Sequence, residues 1–132
     1  MSKKKVSVDQ LSAEFTKIIS DYTDEKAEEV KSAVKDVSKS CLNEIKQNSP
    51  RLTGDYKKGW RRRTAFESRQ DLRVEIYNKT NYQLTHLLEF GHVIKNGTHR
   101  EYGTVSGRPH IRPAEQRAEQ ELEKRIKAVL SK

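Results

Sequence analysis

The chain has 132 residues, 33% of them hydrophobic and 35% charged, with a mean hydropathy of -0.98. That length suits one domain, but the apolar content is thin for a solitary soluble enzyme, so part of the chain is expected either to be extended or to bury its apolar face against other subunits. The net charge of +8 and pI of about 9.6 favour polyanions or acidic protein surfaces, and the single cysteine, Cys41, excludes an intrachain disulfide and a Cys-rich zinc site.

The opening "MSKKKVSVDQL" has basic residues with no apolar run behind them, unlike a signal peptide. No stretch approaches the length of a membrane span, so a soluble protein made in the cytoplasm is expected. From Val8 to about Gln47 the spacing predicts helix. Leu11, Phe15, Ile18 and Tyr22 recur every three or four residues, and Val30, Val34, Val37, Cys41 and Ile45 resume the pattern after the polar "TDEKAEE". A continuous helix of that size would be roughly 60 Å long. It is therefore expected either to break near Thr23–Asp24 or to project its first half towards a partner. The heptad phase slips between Tyr22 and Val30, against a coiled coil. Asn48-Ser49-Pro50 ends the helix.

Thr53-Gly54-Asp55 predicts a turn or the cap of a short helix. From Trp60 the period changes to two. Trp60, Arg62, Thr64 and Phe66 are expected on one face, then Val74, Ile76 and Asn78 in a second strand after the turn "SRQD". "NYQLTHLLEFG" returns to helical spacing, with Gly91 just past its end. Residues 92 to 108 read as a loop or an exposed hairpin turning at Asn96-Gly97. The last helix runs from about Pro113 to Leu130, with Glu115 in its first turn and a narrow apolar stripe of Ala114, Ala118, Leu122, Ile126 and Val129. Glu121–Arg125 and Glu123–Lys127 are spaced as ion pairs. The fold class is α+β in a single domain: N-terminal helix about 8–47, small antiparallel sheet and loop region about 50–108 with a short middle helix, and C-terminal helix about 113–130 packed on the sheet.

The ionisable residues offer little chemistry. His86, His92, His99 and His110 form no HExxH spacing, and no GxSxG elbow or Walker-type loop is present. Glu89 with His86 or His110 is the one acid–base grouping conceivable in space. No catalytic, metal or cofactor site is expected, and the reading is of a protein that is not an enzyme. The basic residues say more. Lys57, Lys58, Arg61, Arg62 and Arg63 surround Trp60, as phosphate contacts require. Strand alternation divides them, with Arg61 and Arg63 on one face and Arg62 on the other. A solvated strand whose arginines pair with acidic neighbours is the plainer account.

Three segments in order resemble the minor tail-component family of long-tailed, siphovirus-type phages and prophages: "SPRLTGDYKKGWR" after a long helix, "YQLTHLLEFGH" after a strand, and "GRPHIRPAEQ" opening a terminal helix. The residues that carry the resemblance are Pro50, Thr53-Gly54, Tyr82, Glu89-Phe90-Gly91 and Pro109 to Ala114, within a span of roughly residues 7 to 130. His92 stands where many members have Thr, and the 92–108 loop is long.

The resemblance implies a virion protein of the tail and neck, a tail-completion or head–tail joining component. It implies a homo-oligomeric ring, sixfold, whose partners are the connector or stopper, the tail terminator and the tail tube. DNA would pass the lumen in non-specific contact with Lys57, Lys58, Arg61, Arg62 and Arg63. Intersubunit or partner contacts are expected from His92, Lys95, His99, Arg100, Tyr102, Arg108 and Arg112, and packing anchors from Trp60, Phe66, Tyr82, Leu87 and Phe90. No cofactor and no membrane partner are expected. The alternatives are a small basic nucleic-acid-binding module and a hydrolase using His86, Glu89 and His110. "GRPHIRPAEQ" itself reads as a rigid joint into the last helix.

Overall fold

The computed structural model describes residues 11–50, 54–95 and 101–131, with 92–95 and 101–106 described by their backbone. The long helical pattern divides where the sequence changes character at Thr23. Residues Leu11–Ile18 form a strand, β1, and the long helix α1 runs from Asp24 to Asn48. The expected helix over 8–47 is thus corrected at its start: 11–18 is strand, and 8–10 lie outside the described residues.

Both periods fit "LSAEFTKI", and burial shows which one holds. Ala13 and Phe15 point inward, whereas Ile18, an inward position of the helical reading, is 71% exposed. Seven paired positions with a central strand settle the conformation, which local spacing leaves open. α1 then starts where a cap exists. The Thr23 side chain accepts from the Lys26 N–H at 3.3 Å, and Asp24 and Glu25 occupy the favourable first turn.

α2 (Asp55–Lys58) is a single turn that delivers Trp60 to β2 (Trp60–Glu67), and β3 (Asp71–Asn78) returns antiparallel. The sheet order is β1-β3-β2. Its inner face carries Phe15, Leu72, Val74, Ile76 and Trp60 onto α1 and the last helix, α4 (Arg112–Leu130). α1 and α4 lie antiparallel, since Glu44 pairs with Arg117, Asp36 with Arg125, and Lys26 Nζ donates to the Val129 and Leu130 carbonyls. The expected stripe on α4 packs inward, with Ala114, Ala118, Leu122 and Val129 buried. Glu123–Lys127 forms as expected, at 3.1 Å. Arg125 reaches Asp36 across the helix pair at 3.1 Å.

The alternation expected along β2 fails at its end. A bulge between Thr64 and Phe66 sets Phe66 opposite Arg73, on the outer face, where it is 51% exposed. The same bulge turns Glu67 inward to Lys31 and Lys35 of α1, at 3.6 and 2.9 Å. The outer face is polar, with Glu14 on Arg73 at 3.2 Å and Glu75 on Arg63 at 3.7 Å.

α3 (Tyr82–Phe90) ends at Gly91, whose φ of 83° is a left-handed conformation that favours glycine. The 92–108 segment takes the hairpin form: β4 (Gly91–Lys95) pairs antiparallel with β5 (Glu101–Ser106) as a separate two-stranded sheet. Its expected turn, Asn96-Gly97, lies outside the described residues.

Candidate functional site

The segment that enters α4 meets α2, β2 and α3 in a buried polar cluster. Tyr56, Trp60 and His110 stack edge to face, with centroids 5.5 Å apart for Tyr56–Trp60 and Tyr56–His110 and 6.2 Å for Trp60–His110. His110 Nδ1 lies 2.7 Å from the Arg108 carbonyl, which can only accept. That assigns the proton to Nδ1, so Nε2 accepts from the Tyr56 hydroxyl at 2.6 Å. Burial raises the Tyr56 hydroxyl far above its ordinary pKa, and the Glu89 charge adds to the effect.

Glu89, in the last turn of α3, is 3% exposed. Its carboxylate accepts three backbone N–H groups: His110 at 2.8 Å and Ile111 at 2.9 Å on Oε1, and Arg112 at 2.9 Å on Oε2. His110 Nδ1 is a further 3.1 Å from Oε1. A helix N-terminus leaves its first N–H groups without intrahelical partners, and here a side chain more than 20 residues upstream supplies the acceptors. Burial would raise this carboxyl. The three backbone donors and His110 outweigh it and hold Glu89 below the ordinary carboxylate range.

Two further buried residues complete the joint. The Trp60 indole donates to Ser49 Oγ at 2.8 Å, and that hydroxyl donates to the Ile45 carbonyl at 2.6 Å. Asn78 donates to the Tyr56 carbonyl and accepts from the N–H groups of Thr80 and Asn81. Gly107 lies against the end of α3, where a Cβ would stand 2.5 Å from the Glu89 oxygen and 2.6 Å from the Gly91 nitrogen. The Arg108 N–H donates to the Leu88 carbonyl at 2.8 Å. The hairpin β4–β5 therefore leaves and re-enters the body at one clamped root.

Chemically this cluster is a cap. Glu89 and His110, named from sequence as an acid–base pair, do meet, but their polar atoms are engaged with backbone groups and Tyr56. Glu89 sits at the base of a groove of about 440 Å³ that Thr85, His86, Phe90, Ile111 and Arg112 also line. His86 itself is exposed and stacks on Phe90, with centroids 4.9 Å apart. Among the described residues no group of three or more His, Cys, Asp or Glu could hold a metal ion. Cys41 is buried, and that burial, with Glu44 and Glu115 nearby, pushes its thiol up to about 12.

The basic cluster is dispersed. Lys57, Lys58 and Arg61 are exposed, and Arg61 donates to the Lys58 and Trp60 carbonyls. Arg62 turns to the helix side, 3.4 Å from Ser38 Oγ, and Arg63 lies beside Glu75 on the outer face. Of the expected anchors, Trp60 is wholly buried and Tyr82 half-buried. Phe66, Leu87 and Phe90 are exposed and do not pack into this chain's core. Arg108 and Arg112 are exposed beside the joint. His92 and Lys95 fall on β4 and Tyr102 on β5, their side chains outside the described set, as are residues His99 and Arg100. Sequence reasoning missed Tyr56, Ser49 and Asn78. Tyr56 and Trp60, four apart across a helical turn, were the available signal.

A family model described as "Bacteriophage HK97-gp10, putative tail-component" matches residues 9–91, well over half of the chain. The match takes in β1 to α3 and ends after Glu89-Phe90-Gly91, so Pro109 to Ala114 lies beyond it. No curated protein and no solved structure matches the chain. Among the described residues no helix is long and apolar enough to cross a membrane. A family of structural tail proteins implies a place in the virion and other tail proteins as partners. The chain belongs to the HK97-gp10-like family of bacteriophage tail components.

Proposed function

We propose that this tail component acts at the head–tail interface, as the tail-completion subunit of a ring, sixfold, between the head connector and the tail tube. The observation that carries the reading is the clamped root of the β4–β5 hairpin. An arm fixed at Gly91 and Gly107 is a device for reaching a neighbouring ring while the body stays folded. Arg108 and Arg112, both exposed, follow that root in sequence. Lys57, Lys58, Arg61 and Arg63 are assigned to the lumen, where they would hold passing DNA by diffuse electrostatics without reading its sequence.

Deletion of the gene from a phage that carries it tests the reading. Filled heads and complete but unattached tails in electron micrographs are the expected result. Heads that still join tails, or the loss of tail tubes altogether, would reject it. The nucleic-acid-binding alternative predicts salt-dependent DNA affinity from the free monomer.

A further inference from the structure

The two outer edges of the three-stranded sheet differ in charge. β1 and β2 each have eight residues, and each pairs only with β3 among the described residues. Among the described residues neither edge has a second strand along it, and an edge strand of that kind invites another. Both run antiparallel to β3, so they are parallel to each other.

On the helix side, the margin of β2 is basic. Arg62 leans over Ser38 of α1, and Lys39, one turn on from Lys35, is exposed. The margin of β1 opens on a groove of about 660 Å³ against α4, lined by Tyr22, Leu122 and Ile126 and by three carboxylates, Glu14, Glu119 and Glu123, against two cations, Lys17 and Lys127, the latter paired with Glu123 at 3.1 Å.

We propose that copies of this chain join head to tail, the β2 edge of one against the β1 edge of the next, so that a single sheet continues through successive subunits. This rests on the ring reading above and specifies its interface. The added strands run parallel at the junction. Arg62 and Lys39 of one copy then meet Glu119 and Glu123 of its neighbour, and the apolar wall of the groove is covered. Isologous pairing of two β2 edges would set the same cations against each other. Joining unlike edges generates a ring when the rotation closes.

Charge reversal tests the pairing. Arg62→Glu with Lys39→Glu makes both margins acidic, and Glu119→Lys with Glu123→Lys makes both basic. By sedimentation velocity the unaltered chain should self-associate. Each variant alone should associate about tenfold more weakly or less, and an equimolar mixture should recover association by alternation. That recovery also shows that both variants fold. An unaltered chain that stays monomeric, variants that associate undiminished, or a mixture that fails to recover would each overturn the proposal. Failure here is distinct from failure of the head–tail role, because the deletion phenotype does not depend on which edges meet.

Discussion

The root of α4 and the outer edges of the sheet treat backbone polar groups in opposite ways. At the root, Glu89 takes up three N–H groups, and Tyr56, His110 and Trp60 close the remaining donors around them. At the edges of β1 and β2, no further strand pairs with the backbone among the described residues. The first arrangement fixes one helix orientation, and the second leaves the sheet able to grow. The apolar core between the sheet, α1 and α4 is thus joined by a polar joint whose buried groups are satisfied, whereas the proposed association draws on edge groups that are not. Substitutions in the two regions should therefore register in different experiments.

The largest effect is expected from Glu89→Ala. It strands three N–H groups at the start of α4 and should cost about 3–5 kcal/mol in denaturant unfolding, a large share of the stability of an ordinary domain. A cost below about 1 kcal/mol would show that water replaces the cap. The same carboxylate sets a pH response. Its folded pKa is depressed below the ordinary 4.5, so its contribution is complete above that value and is lost as pH falls through the folded pKa. Glu115 works in the opposite sense: its pKa is raised, first by burial and then by Glu119. Its charge costs stability as pH rises past 4.5. Acid titration of the unaltered chain should show a stability loss below about pH 4.5 that Glu89→Gln flattens. An unchanged acid limb in Glu89→Gln would assign the loss to other carboxylates.

Gly107→Ala should come next, at about 1–3 kcal/mol, because the atoms it would strike are backbone and must move. A melting temperature equal to that of the unaltered chain would show that the hairpin root is loose and that Gly107 is not part of the clamp.

How far these regions could be read in the sequence follows from how local their determinants are. α3, α4, the β2–β3 hairpin and the α1 core stripe were legible because spacing, a Gly stop and a Pro start are local signals. β1 was not. Leu11, Phe15 and Ile18 satisfy helical spacing, and only pairing with β3, more than 50 residues away, makes them a strand. The break at Thr23 was legible as one of two outcomes, and Thr23 proves to be the cap. The β2 bulge that moves Phe66 outward left no trace in a regular alternation. At the joint, Glu89 and His110 were both singled out. Their meeting depends on a hairpin returning to its own root, and Tyr56 is 54 positions from His110. Such closures are properties of topology, to which sequence spacing is blind.

The smallest effect on stability is expected at the exposed cations. Lys57→Gln, Lys58→Gln and Arg61→Gln together remove charge from solvent-facing side chains, of which Arg61 donates to the nearby Lys58 and Trp60 carbonyls. Each should change unfolding by no more than about 0.5 kcal/mol. The triple variant should therefore melt close to the unaltered chain. If these residues face DNA, the change appears elsewhere. For a fragment of duplex DNA, the slope of log affinity against log salt should fall by about 0.9 for each phosphate that is no longer neutralised. A slope unchanged by the triple substitution would remove Lys57, Lys58 and Arg61 from the lumen, while the joint and the sheet edges, which use other residues, would stand as they are.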